Sequence, residues 1–128
     1  MDDVGTVDAD PPIGLEYVRT LEYFEGDLLV EARGSDGSTY LYSWVNSDRV
    51  CNRWLVSKVT REALESYLAG ACSLRTLILE SLGEHLYLVD LDSEHRPRRV
   101  AAVTRDGLPA DYLPSDNAYY DVSLAPQE

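Results

Sequence analysis

The sequence predicts an α+β domain: an antiparallel sheet of about five strands with two helices packed on one face. This prediction depends on the order of the hydrophobic patterns. Strand-like alternation separated by short turns comes first, two segments with helical spacing follow, and two further strand-like runs come last. The predicted order of elements is therefore β-β-β-α-α-β-β.

The first three strands are predicted to form a meander. Residues 27–33 alternate in hydrophobicity, residues 39–45 are rich in β-branched and aromatic side chains, and residues 53–59 form the third run. The intervening segments, 34–38 and 46–48, contain the glycine, aspartate and asparagine residues that favour tight turns. Consecutive strands joined in this way pair antiparallel.

Two short helices are predicted next. Thr60 and Ser73 are suitable N-cap residues, and Glu62 lies where the dipole of the first helix favours an acid. Gly70 and Gly83 are expected to end the two helices. The stripes expected to face the sheet are Ala63, Leu64, Tyr67 and Leu68 in the first helix, and Leu74, Leu77, Ile78 and Leu82 in the second.

The strand pattern returns at residues 85–91 and 98–104, and the first of these runs is apolar enough to be a central strand. Beyond Asp106, prolines interrupt regular structure. The side chains expected to pack on the domain from this C-terminal segment are Tyr112, Leu113, Tyr119 and Tyr120.

The domain organisation follows from these patterns and from a length that suits one domain. Residues 1–13 are predicted to be a flexible acidic leader, and residues 14–128 a single α+β domain with a proline-rich, acidic C-terminal segment. Residues 15–21 fit neither the helical nor the strand period, so both structures remain open for them.

Composition excludes several classes of protein. No apolar run approaches the roughly 18 residues that span a membrane, and the first residues lack the basic and apolar regions of a signal peptide. A cytoplasmic protein is therefore expected, with Cys51 and Cys72 reduced. No glycine-rich phosphate loop is present, and no cofactor is expected.

The formal net charge of −12 is concentrated in the terminal segments. Residues 1–13 contain four acids, residues 106–128 contain five, and neither segment contains a base. Such a field disfavours binding to nucleic acids and favours a basic protein partner. An acidic inhibitor that mimics DNA is an alternative, but it would require rows of acids on one face of the domain.

The most prominent local feature is the aromatic set Tyr40, Tyr42, Trp44 and Trp54. The first three share the parity of one strand and therefore one face of the sheet, and Trp54 on the neighbouring strand can join them. Two helices cover only one face. The set belongs to the core if it lies under the helices, and it forms a partner-binding patch if it lies on the open face.

Asp90, Asp92 and His95 form a second candidate cluster, because two carboxylates at a strand end followed by a histidine can hold a divalent cation. The same pattern is common in acidic hairpin loops. The chain contains only two histidines, and neither lies in a catalytic motif. No catalytic residue or metal site is therefore assigned, and an enzyme is not expected.

Several short runs carry a resemblance: Trp54-Leu55-Val56, Leu68-Ala69-Gly70, Ser73-Leu74-Arg75, and the segment LPADYLP at 108–114. With them, residues 14–115 resemble a family of small bacterial proteins that carry only a domain of unknown function. The resemblance implies a bacterial, cytoplasmic protein. It implies no activity, ligand or catalytic residue.

The resulting functional hypothesis is a non-enzymatic protein–protein interaction protein, such as an antitoxin, an immunity protein or a regulatory adaptor. Tyr42, Trp44 and Trp54 would anchor a protein partner or a second copy of the chain in a homodimer. The alternatives are the acidic DNA mimic and a metal-dependent enzyme that uses Asp90, Asp92 and His95. Neither nucleic acid nor membrane binding is expected.

Overall fold

The strands of the protein form one antiparallel sheet. The structure is a computed structural model that describes residues 6–7 and 15–126, and it omits the side chains of residues 6, 7, 83 and 84. Within this part of the chain there are six long strands and one two-residue strand. They are β1 (Thr6–Val7), β2 (Glu16–Tyr23), β3 (Asp27–Arg33), β4 (Thr39–Ser47), β5 (Cys51–Val59), β6 (Leu82–Asp92) and β7 (Pro97–Val103).

The spatial order of the strands is β1-β7-β6-β5-β4-β3-β2. Strands β2 to β5 form a meander, and two helices connect the neighbouring strands β5 and β6. These helices are α1 (Arg61–Leu68) and α2 (Leu74–Leu79). The predicted α+β class and antiparallel sheet are confirmed, with one more long strand than expected.

The additional strand is β2, which contains the segment that the sequence left open. Its pairing with β3 shifts register between Tyr17 and Arg19, between Thr20 and Glu22, and again before Tyr23. The first two shifts each insert an extra residue into β2 and so change which face its following side chains occupy, because strand side chains alternate with a period of two. These irregularities explain why no single period fits residues 15–21.

Both helices begin where the sequence predicts. The side chain of Thr60 accepts a hydrogen bond from the Ala63 N–H, and that of Ser73 accepts one from the Thr76 N–H. The prediction that α2 continues to Gly83, with Leu82 in its buried stripe, is wrong. Leu82 is exposed and starts β6, where it pairs with Lys58 of β5.

The main core lies between the sheet and the helices. Leu29, Leu41 and Leu55 contribute to it from the sheet, and Leu64 and Ile78 from the helices. The C-terminal segment covers the same face, with two 3₁₀ turns at Ala110–Tyr112 and Val122–Leu124. The side chains of this segment that pack against the core are Tyr112, Leu113, Ala118 and Tyr120.

Tyr119 does not follow the expectation for the C-terminal segment. Its side chain is 52% exposed, whereas those of Ala118 and Tyr120 contact the core. The backbone here is irregular, with turn hydrogen bonds from the Ala118 N–H to the Ser115 carbonyl and from the Tyr119 N–H to the Asn117 carbonyl, so no regular period fixes the direction of Tyr119.

Two ion-pair networks connect elements on the helix-bearing side. Glu31, with its side chain 2% exposed, accepts hydrogen bonds from Arg19 of β2 and Arg61 of α1, at 2.7 and 3.2 Å. Arg53 of β5 makes a bidentate pair with Asp90 of β6, at 2.8 and 3.0 Å, and donates to the Tyr112 hydroxyl at 2.9 Å. The second network therefore fixes the C-terminal segment to the sheet.

Most of the predicted leader, residues 1–13, lies outside the described residues. Only Thr6 and Val7 are described, and they pair with Val103 and Ala102 of β7. Cys51 and Cys72 are both free. Among the residues that the structure describes, no helix is long and apolar enough to cross a membrane.

Candidate functional site

The face of the sheet opposite the helices carries a second hydrophobic cluster. Strand alternation directs Leu41 into the main core, and consequently directs its neighbours Tyr40 and Tyr42 to this second face. The buried members of the cluster are Trp54, Val56 and Val89. The half-buried residues around them are Leu15, Tyr40, Tyr42, Tyr87 and Leu91.

This face of the sheet lines a groove with a volume of about 1190 Å³. Residues from β2 to β7 line the groove, so it extends across most of the sheet. Tyr17 and Phe24 form one side, Val100 and Pro97 form the other, and the floor includes Val30, Ala32, Trp54, Val56 and Val89.

The four predicted partner-binding residues all lie on the second face, but at different depths. Trp54 is 8% exposed and belongs to the floor, whereas Trp44, which pairs with it across β4 and β5, is 39% exposed. Tyr42 is half-buried between these extremes, and burial raises the pKa of its phenol. These three residues line the groove.

Tyr40 occupies a different position, outside the groove lining. Its ring lies over Gly34, where an added Cβ would come within 2.9 Å of the Tyr40 Cε1 atom. The glycine therefore provides the space that the ring fills. Tyr40 supports the second face structurally, while the other three aromatic residues are available to the groove.

The orientation of Trp44 is fixed although its side chain is exposed. Its indole Nε1 donates a hydrogen bond of 2.9 Å to Asn52 Oδ1 on the neighbouring strand. A rigid, half-exposed aromatic ring provides a large apolar contact area at a low cost in conformational entropy. This combination is typical of anchor residues in binding sites.

Sequence reasoning missed the polar part of the groove, which lies at β2 and the β2–β3 turn. Thr20 Oγ1 donates a hydrogen bond of 3.1 Å to Asp27 Oδ1, and the Tyr17 hydroxyl lies 2.7 Å from Thr20 Oγ1. Asp27, Tyr17 and Glu25 all line the groove. Since the structure of residues 15–21 remained open in the sequence, Tyr17 and Thr20 had no predicted face.

The groove has an acidic character. The carboxylates of Glu25, Asp27 and Asp92 line it together with His95, and no arginine or lysine occurs among the described lining residues. Arg96 and Arg98 lie nearby on the β6–β7 hairpin, where both pair with Asp92. Their pairing with a local acid agrees with the ordinary role of such residues in hairpin loops.

The structure does not assemble Asp90, Asp92 and His95 into a cation site. Asp90 faces the helix-bearing side and pairs with Arg53. Asp92, the last residue of β6, lines the groove on the other face of the sheet. Among the described residues, no group of three histidine, cysteine or acidic side chains is arranged to hold a metal ion.

Comparison with known proteins adds no assignment for the groove. The chain matches no protein-family model, no curated protein and no solved structure. The resemblance to small bacterial proteins stays a prediction from the sequence. The residues of the groove are therefore the basis from which a function is inferred.

Proposed function

We propose that this chain is a non-enzymatic interaction protein whose groove binds an apolar, basic segment of another protein. One observation carries the proposal: the face of the sheet without helices is apolar and aromatic. An open face of an antiparallel sheet is normally polar. Here Trp44 and Tyr42 line a groove whose floor is formed by Trp54 together with valine and alanine side chains.

The size of the groove favours a segment of a protein over a small molecule. Small-molecule pockets usually have volumes of about 300–1,000 Å³. The groove exceeds this range, at about 1190 Å³, and it is open along the sheet. A protein segment with several apolar side chains fits a site of this size and shape.

Charge favours a basic partner over a second copy of the chain. Two copies with a net charge of −12 each repel one another, which opposes self-association. The charged groups that line the groove include three carboxylates. A segment that combines apolar side chains with lysine or arginine complements both the floor and the charge.

The proposed mechanism is coverage of a functional surface of the partner. Trp54 and Tyr42 provide a rigid floor, and Trp44 contributes an oriented ring at the surface. An antitoxin, an immunity protein or a regulatory adaptor could act by such coverage. Together with the sequence resemblance, this supports a role in the bacterial cytoplasm.

The other two hypotheses receive less support. A DNA mimic needs rows of acids on one face, whereas much of the acidic charge lies in the terminal segments. A metal-dependent enzyme needs Asp90, Asp92 and His95 together, and Asp90 pairs with Arg53 on the other side of the sheet. Neither arrangement provides the site that these functions require.

A library of random dodecapeptides displayed on phage tests the proposal with the intact chain. Selected peptides should be apolar, and Trp44→Ala should weaken their binding by about 2 kcal/mol or more, as expected for an aromatic anchor. The matched control is Tyr119→Ala, which removes an exposed aromatic side chain outside the groove.

Two results would contradict the proposed function. In the first, no peptide is selected. In the second, the selected peptides bind Trp44→Ala as tightly as the wild type. A thermal melt of each variant shows whether a loss of binding reflects the groove or a loss of folded protein.

A further inference from the structure

We infer that the groove contains, beside Asp27, a subsite for a lysine or arginine side chain of the bound segment. This inference rests on the proposed function and specifies it. The proposed function requires that the groove binds an apolar, basic segment, wherever on the groove the charge of that segment is recognised. The subsite identifies which side chain of that segment is recognised by charge, and where.

The hydrogen bonds around Asp27 fix one of its carboxylate oxygens. Thr20 uses its only hydroxyl proton to donate to Asp27 Oδ1, at 3.1 Å. The 2.7 Å contact between Tyr17 and Thr20 must therefore be donated by the Tyr17 hydroxyl. These three residues form a directed chain of hydrogen bonds that ends on the carboxylate.

The second oxygen of Asp27 has no such partner. In the described part of the chain, Oδ2 takes part in no hydrogen bond or salt bridge. Asp27 is half-buried, so its carboxylate is partly removed from solvent. An ionised carboxylate only accepts hydrogen bonds, and the group that best satisfies its free oxygen is a cationic donor.

The surrounding side chains suit a cation in two ways. The rings of Tyr17, Phe24 and Trp44 line the same groove, and aromatic faces attract ammonium and guanidinium groups. Glu25, two residues before Asp27 in the sequence, also lines the groove and adds a second negative charge. A basic side chain can therefore place its apolar stem on the rings and its charge on the carboxylates.

Other occupants of this end of the groove are less favourable. A purely apolar side chain would cover the Asp27 carboxylate without replacing its hydrogen bonds to water, which costs free energy. An acidic side chain would be repelled by Asp27 and Glu25. The subsite therefore also selects against acidic segments.

The test uses dodecapeptides selected on the wild-type chain and synthesised in soluble form. A peptide whose binding requires Trp44 is expected to contain a lysine or arginine that is essential for affinity. Asp27→Asn should weaken its binding about tenfold, because a partly desolvated charge pair is lost. Asp106→Asn, which removes the same charge from an exposed residue outside the groove, should leave the affinity unchanged.

Variants of the peptide give an independent measurement that leaves the protein unaltered. Replacing the essential lysine by methionine, or the arginine by leucine, should weaken binding to the wild-type chain about tenfold. The same replacement should have little further effect on binding to Asp27→Asn, because the two changes remove one interaction. This measurement remains informative if Asp27→Asn proves less stable.

The outcomes separate the two proposals. Peptides that depend on Trp44 and on a basic residue, but bind Asp27→Asn as tightly as the wild type, would overturn the subsite and leave the proposed function intact. Additive effects of the two changes would also overturn it. If no selected peptide depends on Trp44, the proposed function fails, and the subsite fails with it.

Discussion

Tyr42 and Trp54 contact each other edge to face across β4 and β5, with ring centroids 6.2 Å apart and an interplanar angle of 71°. This geometry is favourable for aromatic pairs. The contact lies on the face of the sheet without helices, in a cluster that also buries Val56 and Val89. The sheet therefore has an apolar cluster on each face, although the helices cover only one.

The first prediction separates the structural role of Trp54 from the binding role of Trp44. Trp54→Ala should lower the free energy of unfolding by about 3–5 kcal/mol, because it removes a buried side chain from the floor. Trp44→Ala should cost about 1 kcal/mol or less, since exposed positions contribute little. Chemical denaturation of both variants measures the difference, and a larger loss for Trp44→Ala would contradict the assignment.

The second prediction concerns the helix-bearing core. Ile78→Ala should lower the free energy of unfolding by about 2–5 kcal/mol, because Ile78 is fully buried against the sheet. Leu79→Ala in the same helix is the control, since Leu79 is 37% exposed. Leu79→Ala should change the denaturation midpoint far less than Ile78→Ala does. Equal effects would mean that α2 buries a different face.

The elements with a regular period could be predicted from the sequence. Strand β3 has the predicted bounds, and the N-caps Thr60 and Ser73 both accept the expected backbone hydrogen bonds. The shared face of Tyr40 and Tyr42 also follows from alternation alone. Each of these features depends only on residues that are close together in the sequence.

The remaining features depend on pairing between distant segments. The register shifts of β2 break its alternation, so the sequence did not place Tyr17 in the groove. Leu82 continues the spacing of the α2 stripe, yet its pairing with Lys58 makes it part of β6. The sequence also left open which face the helices cover, and that choice decides whether the aromatic set is core or surface.

The third prediction concerns the buried carboxylate of Glu31. Arg19 and Arg61 both donate to it, and each arginine is about half exposed. Either Arg19→Ala or Arg61→Ala alone should cost about 1 kcal/mol of stability, because the other arginine still pairs with Glu31. The double variant should cost about 3–5 kcal/mol, since it leaves a buried charge without a partner.

A double-mutant cycle by urea denaturation measures this coupling. The expected result is a loss that exceeds the sum of the two single losses. Replacing Glu31 by methionine in the double variant should recover stability, because no charge is then buried. If the stability losses of the two arginine substitutions simply add, Arg19 and Arg61 do not share the neutralisation of the buried Glu31 charge.

The last prediction concerns the β6–β7 turn, which borders the groove at His95. Asp92 Oδ1 accepts hydrogen bonds from the N–H groups of Glu94 and Arg96, at 2.9 and 3.0 Å. The bond from Arg96 contributes most to lowering the pKa of Asp92 below its ordinary value. A carboxylate with a lowered pKa favours the folded turn above its ordinary pKa, about 4 for aspartate, and this contribution disappears as pH falls through the folded-state pKa.

Acidification should therefore open the β6–β7 turn before it affects the β2–β3 turn. The β2–β3 turn is the control, because its Phe24 N–H bonds to the Gly26 carbonyl and not to a carboxylate. Amide chemical shifts followed by NMR from pH 6 downward should change at Glu94 and Arg96 with the Asp92 titration, and Asp92→Asn should abolish that response. A titration of these amides that persists in Asp92→Asn would show that another group controls the turn. If the turn opens, the position of His95 at the groove should become less defined, because its backbone has a left-handed φ of 63° that the turn maintains.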